Sequence, residues 1–361
     1  MKKSLRRNDY GLLLTNSTNN TIFNNTLTSN LMEAIKLNSS DDNIIYSNTI
    51  INNSGNGIYL YNSQNTLIMT NTIQNNSING IELNNSSNTT VYQNIITDNQ
   101  ENGIKTTSSS ADINFNVITG NSVHGLYSGG NGTINAENNW WGTNNPVVSS
   151  SSGSDIYIAG GTVTYDPWLV LSLTGSTIKV THNSTSDSDI TADLTHNNHG
   201  DDTSPSGTIP DGLPVDFTTT LGTINSTGTT KNGRSTVKLT SNTSDGATTV
   251  TTTLNNQEVS KSFHKSFNSI QAAVSDPLTV DGDVILVTNG TYVENIMINK
   301  NLILISDDDV TIQALNPSTP TVTITGCSDV IISGFTIISN GLSALDVSEV
   351  TNCYIIDNII T

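Results

Sequence analysis

Along the first 140 residues the apolar positions fall into three columns. Leu12, Ile35, Ile58, Ile81, Ile104 and Leu126 form the first; Ile22, Ile45, Ile68, Val91 and Ile113 the second; Leu27, Ile50, Ile73, Ile96, Ile118 and Trp140 the third, at intervals of 23 and then 22 residues. Gly57-Ile58, Gly80-Ile81, Gly103-Ile104 and Gly125-Leu126 repeat in phase, with Gly11-Leu12 and Ala34-Ile35 extending the series backwards. Asn25, Asn48, Asn71, Asn94, Asn116 and Asn138 make a polar column beside them, and Asn30, Asn53, Asn76, Asn99 and Asn121 another. Self-similarity at a fixed short period marks a solenoid. Short β-branched segments that alternate with polar residues and are punctuated by Asn and Gly predict strands and tight bends, not helices.

Three short strands per repeat make one coil of a parallel β-helix. Coils stacked about 4.8 Å apart let each strand pair with its copy above and below, so a face that one repeat cannot bury alone is buried by the array. The Asn columns are then architectural, since Asn tolerates left-handed bends and its amide can bond to the same group in neighbouring coils. Trp140-Trp141-Gly142 reads as the end of the last coil. The loop 144–154 and Val163-Thr164-Tyr165-Asp166-Pro167-Trp168 then read as a cap over the exposed edge, with Trp140, Trp141 and Trp168 as its aromatics. The periodicity is already running by Gly11, as if the chain opened inside an array.

From about Leu169 the period stops. Thr- and Val-rich alternating runs at 177–182, 189–195, 215–219, 235–239 and 248–254, with turn residues between them, predict a β-sandwich. Beyond Phe263, Phe267-Asn268-Ser269-Ile270-Gln271-Ala272-Ala273-Val274 has helical spacing, and runs at 284–287, 302–305, 322–324, 330–332 and 353–356 restore strand patterning to the end of the sequence. The expected organisation is therefore all-β in three parts: a right-handed parallel β-helix over 1–168, a sandwich over 169–263 and a second β-helix over 264–361.

Composition narrows the function classes. A net charge of −18 with only 13 basic residues leaves no cationic surface to displace counterions from phosphate, which excludes nucleic acid as a partner. Met1-Lys2-Lys3-Ser4-Leu5-Arg6-Arg7 resembles the basic start of a signal peptide, but Leu12, Leu13 and Leu14 are too short an apolar stretch to complete one. No run approaches the length of a transmembrane helix. Cys327 and Cys353 are too few for a disulfide scaffold.

Two stretches carry family resemblances. Ile209-Pro210-Asp211-Gly212-Leu213-Pro214-Val215-Asp216-Phe217, Leu221-Gly222-Thr223-Ile224 and Lys231-Asn232-Gly233-Arg234-Ser235-Thr236-Val237 resemble the invasin/intimin-type bacterial Ig-like domain, which implies an Ig-like sandwich. Gly282-Asp283-Val284-Ile285-Leu286-Val287, Asn289-Gly290-Thr291-Tyr292-Val293-Glu294-Asn295 and Lys300-Asn301-Leu302-Ile303-Leu304-Ile305 look like the N-terminal cap and first coil of pectin- and pectate-lyase-like β-helices. Together with Asn138-Asn139-Trp140-Trp141-Gly142-Thr143-Asn144-Asn145-Pro146, the order solenoid, Ig-like spacer, solenoid is similar to the adhesin-like surface proteins of methanogenic archaea. The resemblance implies an extracellular or cell-surface protein with carbohydrate, or a surface protein of another cell, as partner.

No catalytic, cofactor-binding or metal-ligating set emerges from the residues. The acidic positions Glu33, Asp41, Asp42, Glu82, Asp98, Glu101, Asp112 and Glu137 occupy different repeat positions, whereas a lyase or hydrolase needs clustered carboxylates. Asp307-Asp308-Asp309 and His196-Asn197-Asn198-His199 with Asp201 and Asp202 read as solvated turns and a polar loop. The suggestive feature is the outward column after the Gly-Ile pair, Leu13, Lys36, Tyr59, Glu82, Lys105 and Tyr127, with Tyr46 and Tyr92 on another face. Amphipathic aromatics on a rigid ladder suit stacking on sugar rings or a protein partner, although Tyr also simply favours strands. Asn-x-Ser/Thr triplets at Asn16, Asn38, Asn85, Asn88, Asn183, Asn225 and Asn289 are candidate glycosylation sites. The expected function is a non-catalytic adhesin-like scaffold. A structural envelope component, or a polysaccharide lyase or hydrolase of the same fold, are the alternatives.

Overall fold

In the first part of the chain, a computed structural model folds every 22–23 residues into three short strands that pair in parallel with their copies. The structure describes residues 8–175, 178–181, 187–240, 247–264 and 267–361. The basic stretch at 1–7 and the triplet at Asn183 lie outside the described residues.

Three parallel sheets wrap one core. The first holds seven strands from Leu12–Thr15 to Ser154–Ile158, the second seven from Thr21–Phe23 to Thr162–Thr164, and the third five from Thr26–Thr28 to Val117–Thr119. The register joins Leu12, Ile35, Ile58, Ile81, Ile104 and Leu126 in one line, and Ile22, Ile45, Ile68, Val91 and Ile113 in another. From the second coil onward these residues are fully buried. Close stacking also accounts for the glycine column: a Cβ at Gly57 would stand 2.6 Å from the Gly80 carbonyl oxygen.

The polar columns separate two roles that a single asparagine was expected to combine. Each ladder Asn uses Oδ1 to accept from both the backbone N–H and the side-chain N–H of its partner one coil earlier, as Asn48 does for Asn25 at 3.0 and 3.1 Å. The left-handed bend falls one residue before, at Asn24, Ser47, Thr70, Gln93, Phe115 and Asn138, with φ between 52 and 57°. Serines form a further ladder, Ser17 to Ser40, Ser63, Ser86 and Ser109.

One expected position therefore changes. The ladder runs Asn25, Asn48, Asn71, Asn94, Asn116 and then Asn139, whose Oδ1 accepts from Asn116 N and Nδ2 at 3.0 Å each. Asn138 belongs to the left-handed column and its Oδ1 is buried without a partner. The same one-residue shift moves Trp140 out of the inward column: it bridges to Val117, faces outward, and leaves Trp141 to fill the coil interior. Because strand side chains alternate, a slip of one residue exchanges the two faces.

Nor does the solenoid stop at Trp140. After the loop, Ser154–Ile158 pairs with His124–Gly129, placing Ile156 on Leu126, and Thr162–Thr164 pairs with Thr133–Asn135. Tyr165 and Trp168 then pack on the core at this end, and the Trp168 indole N–H donates to the Asn144 carbonyl at 3.0 Å.

Two four-stranded antiparallel sheets follow: Leu169–Gly175, Asp187–Asn197, Arg234–Thr240 and Thr223–Ile224 against Thr227–Thr229, Pro214–Thr219, Ala247–Leu254 and Gln257–His264. Leu171, Leu173, Ile190, Val215, Phe217, Leu239 and Val250 share one core between them. Of the run at 177–182, the described part does not join this sandwich. Its described strand, Ile178–Val180, pairs in parallel with Val284–Val287.

Residues 267–361 build further parallel sheets. Val284–Val287, Ile303–Gln313, Ile331–Ile338 and Tyr354–Ile356 stack in order, and Ile296–Ile298, Val322–Thr325 and Leu345–Ser348 form a second layer. The six-residue helix Ile270–Ser275 buries Ile270, Ala273 and Val274 in their common core. Ser269 caps it, and the Glu294 carboxylate accepts from Ser269 Oγ, Ile270 N and Gln271 N at 2.6 to 2.9 Å.

Candidate functional site

The outward residues of the first sheet form one continuous line. Leu13, Lys36, Tyr59, Glu82, Lys105 and Tyr127 are register partners in successive coils, and Tyr157, which the expected cap had hidden, continues the line. It carries both charges and rings. Lys36 Nζ stands 5.2 Å from the ring centres of both Tyr10 and Tyr59, a cation–π arrangement, and Lys105 pairs with Glu82 at 3.5 Å. Tyr61, 40% exposed, stands beside Tyr59. Partial burial pushes the Tyr59 hydroxyl above its ordinary value, so it remains a neutral donor.

A second aromatic group ends the line. Tyr127 and Tyr157 meet edge to face with centres 5.4 Å apart, and the His124 ring lies 5.0 Å from Tyr157. His124 Nδ1 stands 2.8 Å from Ser154 Oγ, whose own hydrogen goes to the Ser149 carbonyl, so Nδ1–H donates and the imidazole is the Nδ1-protonated tautomer. Burial lowers its proton affinity. Sequence reasoning missed Tyr157 because 30 residues separate it from Tyr127, although Ser154-Asp155-Ile156-Tyr157-Ile158 repeats the alternation of the strand before.

Tyr46 and Tyr92 sit on the second sheet and do not join this line. Tyr46 stacks on Phe23 at 5.2 Å and 6°. Tyr92 contacts Phe115 edge to face and packs under the sandwich; a Cβ added at Gly207 would stand 2.4 Å from its hydroxyl. It is therefore covered, not presented.

The acidic positions lie apart, and among the described residues no group of three or more His, Cys, Asp or Glu side chains stands close enough to hold a metal ion. The loop His196–Asp202 braces the solenoid end: Asn198 Oδ1 accepts from Trp168 N at 2.8 Å and His199 meets Asp166 at 3.0 Å. Asn16, Asn85 and Asn88 occupy exposed left-handed turns. Cys327 and Cys353 are free thiols. No helix among the described residues is long and apolar enough to cross a membrane.

Comparison with known proteins agrees with the coil geometry. Residues 3–141 match the family model described as the right handed beta helix region. A stretch of 96 residues, 27% of this chain, is 42% identical to a protein named cell surface glycoprotein from Methanothermus fervidus, of which the match covers 16%. Both similarities fit a surface protein, and the family match describes residues 3–141 as a right-handed β-helix.

Proposed function

We propose that this chain is a non-catalytic, adhesin-like scaffold of a cell surface that uses the outward line of its first sheet to contact carbohydrate or a surface protein of another cell. The observation that carries this reading is the aromatic line itself: Tyr59, Tyr127 and Tyr157 on a rigid ladder, with Glu82 and Lys105 paired between them and Lys36 beside Tyr59. Rigid amphipathic rings lose little entropy on contact, which suits a binding surface. In this reading the sandwich is the Ig-like spacer and the helix at Ile270–Ser275 caps a second β-helix. The similarity to a cell surface glycoprotein supports the location.

The test is a glycan-array and whole-cell binding screen beside a polysaccharide-degradation assay. The expected result is saturable binding without turnover, reduced at least tenfold in a Tyr59→Ala, Tyr127→Ala, Tyr157→Ala variant. Undiminished binding by the folded variant would reject the face, and turnover would reject the non-catalytic reading.

A further inference from the structure

A groove separates the sandwich from the solenoid flank on which it docks. Two cavities of about 380 Å³ meet at Thr72 and Ile95. The second shares Thr119, Gly120 and Asn256 with a third of about 200 Å³ that ends at Trp141 and Asp155. The floor is the outer face of the third sheet, where Thr72, Ile95 and Val117 are register partners in successive coils. The groove thus runs along the solenoid axis for two to three coils, roughly 10–14 Å at about 4.8 Å per coil. Ile209, Pro210 and Leu213 on one sandwich loop and Asn255 and Asn256 on another form its roof.

We infer that this groove binds a neutral oligosaccharide, at a site separate from the tyrosine line. Its floor is a sheet face, so it offers side-chain hydroxyls and amides from Thr72, Gln74, Thr97 and Thr119. An extended peptide is instead captured through the free backbone groups of a sheet edge. Ile95, Pro210 and Pro214 add small apolar surfaces of the kind that accept the C–H faces of sugar rings. Asp98 and Asp211 are the charged lining residues of the two larger cavities, and no Lys or Arg lines them among the described residues, so uronate or phosphate groups are repelled.

The walls are also held in place before any ligand arrives. Gln93 Nε2 donates to the Thr208 carbonyl, Trp140 Nε1 to Asn255 Oδ1 and Asn144 N to Gln257 Oε1, each at 2.8 Å. A groove clamped from both ends loses little ordering entropy on binding.

Trp141 lines the third cavity and Trp140 bonds to Asn255 of the roof, so tryptophan fluorescence reports on the groove. The whole chain is titrated with neutral hexasaccharides of glucose and of mannose, with a hexagalacturonate, and with an unstructured Ser/Thr-rich peptide. The expected result is a saturable change with at least one neutral sugar and none with the galacturonate or peptide. Thr72→Phe, an outward change that narrows the junction of the two large cavities, weakens it at least tenfold, and Gln74→Ala weakens it severalfold. The triple tyrosine variant leaves it unchanged, which separates the groove from the tyrosine line. Silence with both neutral sugars, equal affinity in a Thr72→Phe or Gln74→Ala variant of unaltered melting temperature, or preference for the galacturonate or the peptide would each overturn the assignment.

Discussion

Truncating Asn71 to alanine removes one member from the middle of the buried ladder. Its Nδ2 donates to the Ile45 carbonyl at 2.9 Å and to Asn94 Oδ1 at 3.0 Å, while its Oδ1 accepts from Asn48 N at 2.9 Å and Asn48 Nδ2 at 3.0 Å. Asn94 Oδ1 still receives Asn71 N, and Asn48 Nδ2 still reaches the Ile22 carbonyl, but Asn48 N–H and the Ile45 carbonyl lose these partners inside a dry stack. The orphaned Asn48 N–H costs about 1–3 kcal/mol, while the Ile45 carbonyl keeps its place in the strand ladder; each other hydrogen bond lost adds about 0.5–1.5 kcal/mol, so the expected loss is about 4 kcal/mol. Asn25→Ala at the exposed end removes bonds to the Phe23 carbonyl and Asn48 Oδ1 in contact with water, and costs about 1 kcal/mol. Urea unfolding gives the two losses. Hydrogen exchange resolved by peptide shows where they act, since a solenoid opens coil by coil and not always in one step. Equal costs for Asn25→Ala and Asn71→Ala, or a loss below about 1 kcal/mol for Asn71→Ala, would refute the ladder as a source of stability.

The shifted register makes a paired prediction: Asn139→Ala destabilises by about as much as Asn71→Ala, whereas Asn138→Gly is neutral to about 0.5 kcal/mol stabilising in the same urea experiment, because glycine accepts its left-handed backbone and an unpaired buried oxygen is removed. In the sandwich, burial alone would push the Asp193 carboxyl up, but hydrogen bonds from Thr195 and the Arg234 guanidinium outweigh it and hold it below the usual range. With the folded value below the unfolded one, its contribution is complete above pH ~4 and is lost as pH falls through the folded value. Arg234→Ala should therefore cost about 1–2 kcal/mol at pH 7 and progressively less in acid, measured by melting at each pH. His124→Asn places two donors against Asn102 Oδ1, now buried without a partner, and extends the line Asn56, Asn79, Asn102 by one coil. It should stabilise by about 1 kcal/mol. It should also remove the part of the stability loss that begins as pH falls below ~6.5, the range in which an unfolded histidine binds a proton more readily than this buried one.

The solenoid is legible in the sequence because its contacts are its period. Residue i touches its copy 22 or 23 positions on, so the columns Ile58, Ile81, Ile104 or Asn48, Asn71, Asn94 are the contact map written linearly. The same logic fails where the sequence repeats within one residue. Asn138-Asn139 and Trp140-Trp141 are doubled, so intervals of 22 and 23 place an Asn and a Trp equally well, and only the bond from Asn116 to Asn139 chooses. The last coil was hidden by length: the loop before Ser154 stretches the interval from Leu126 to Ile156 to 30 residues.

What joins the solenoid to the sandwich has no period at all. Gln93 to Thr208 and Trp140 to Asn255 each span 115 residues, and nothing near either partner announces the other. Yet one local sign is present in the outward column of the third sheet, where Thr26, Thr49 and Thr72 give way to Ile95, Val117 and Trp140. An outward strand position that changes from hydroxyl to large apolar over adjacent coils makes a patch that needs a cover. The change falls where the sandwich core, with Val117 and Trp140 in it, begins to rest on the coil. It also falls where the groove opens, since Thr72 and Ile95 stand on either side of the boundary. The docking site and the groove are thus two consequences of one switch in side-chain chemistry. Returning Ile95 and Val117 to threonine should therefore loosen the sandwich and abolish the groove together, while the buried ladder beneath stays protected from exchange.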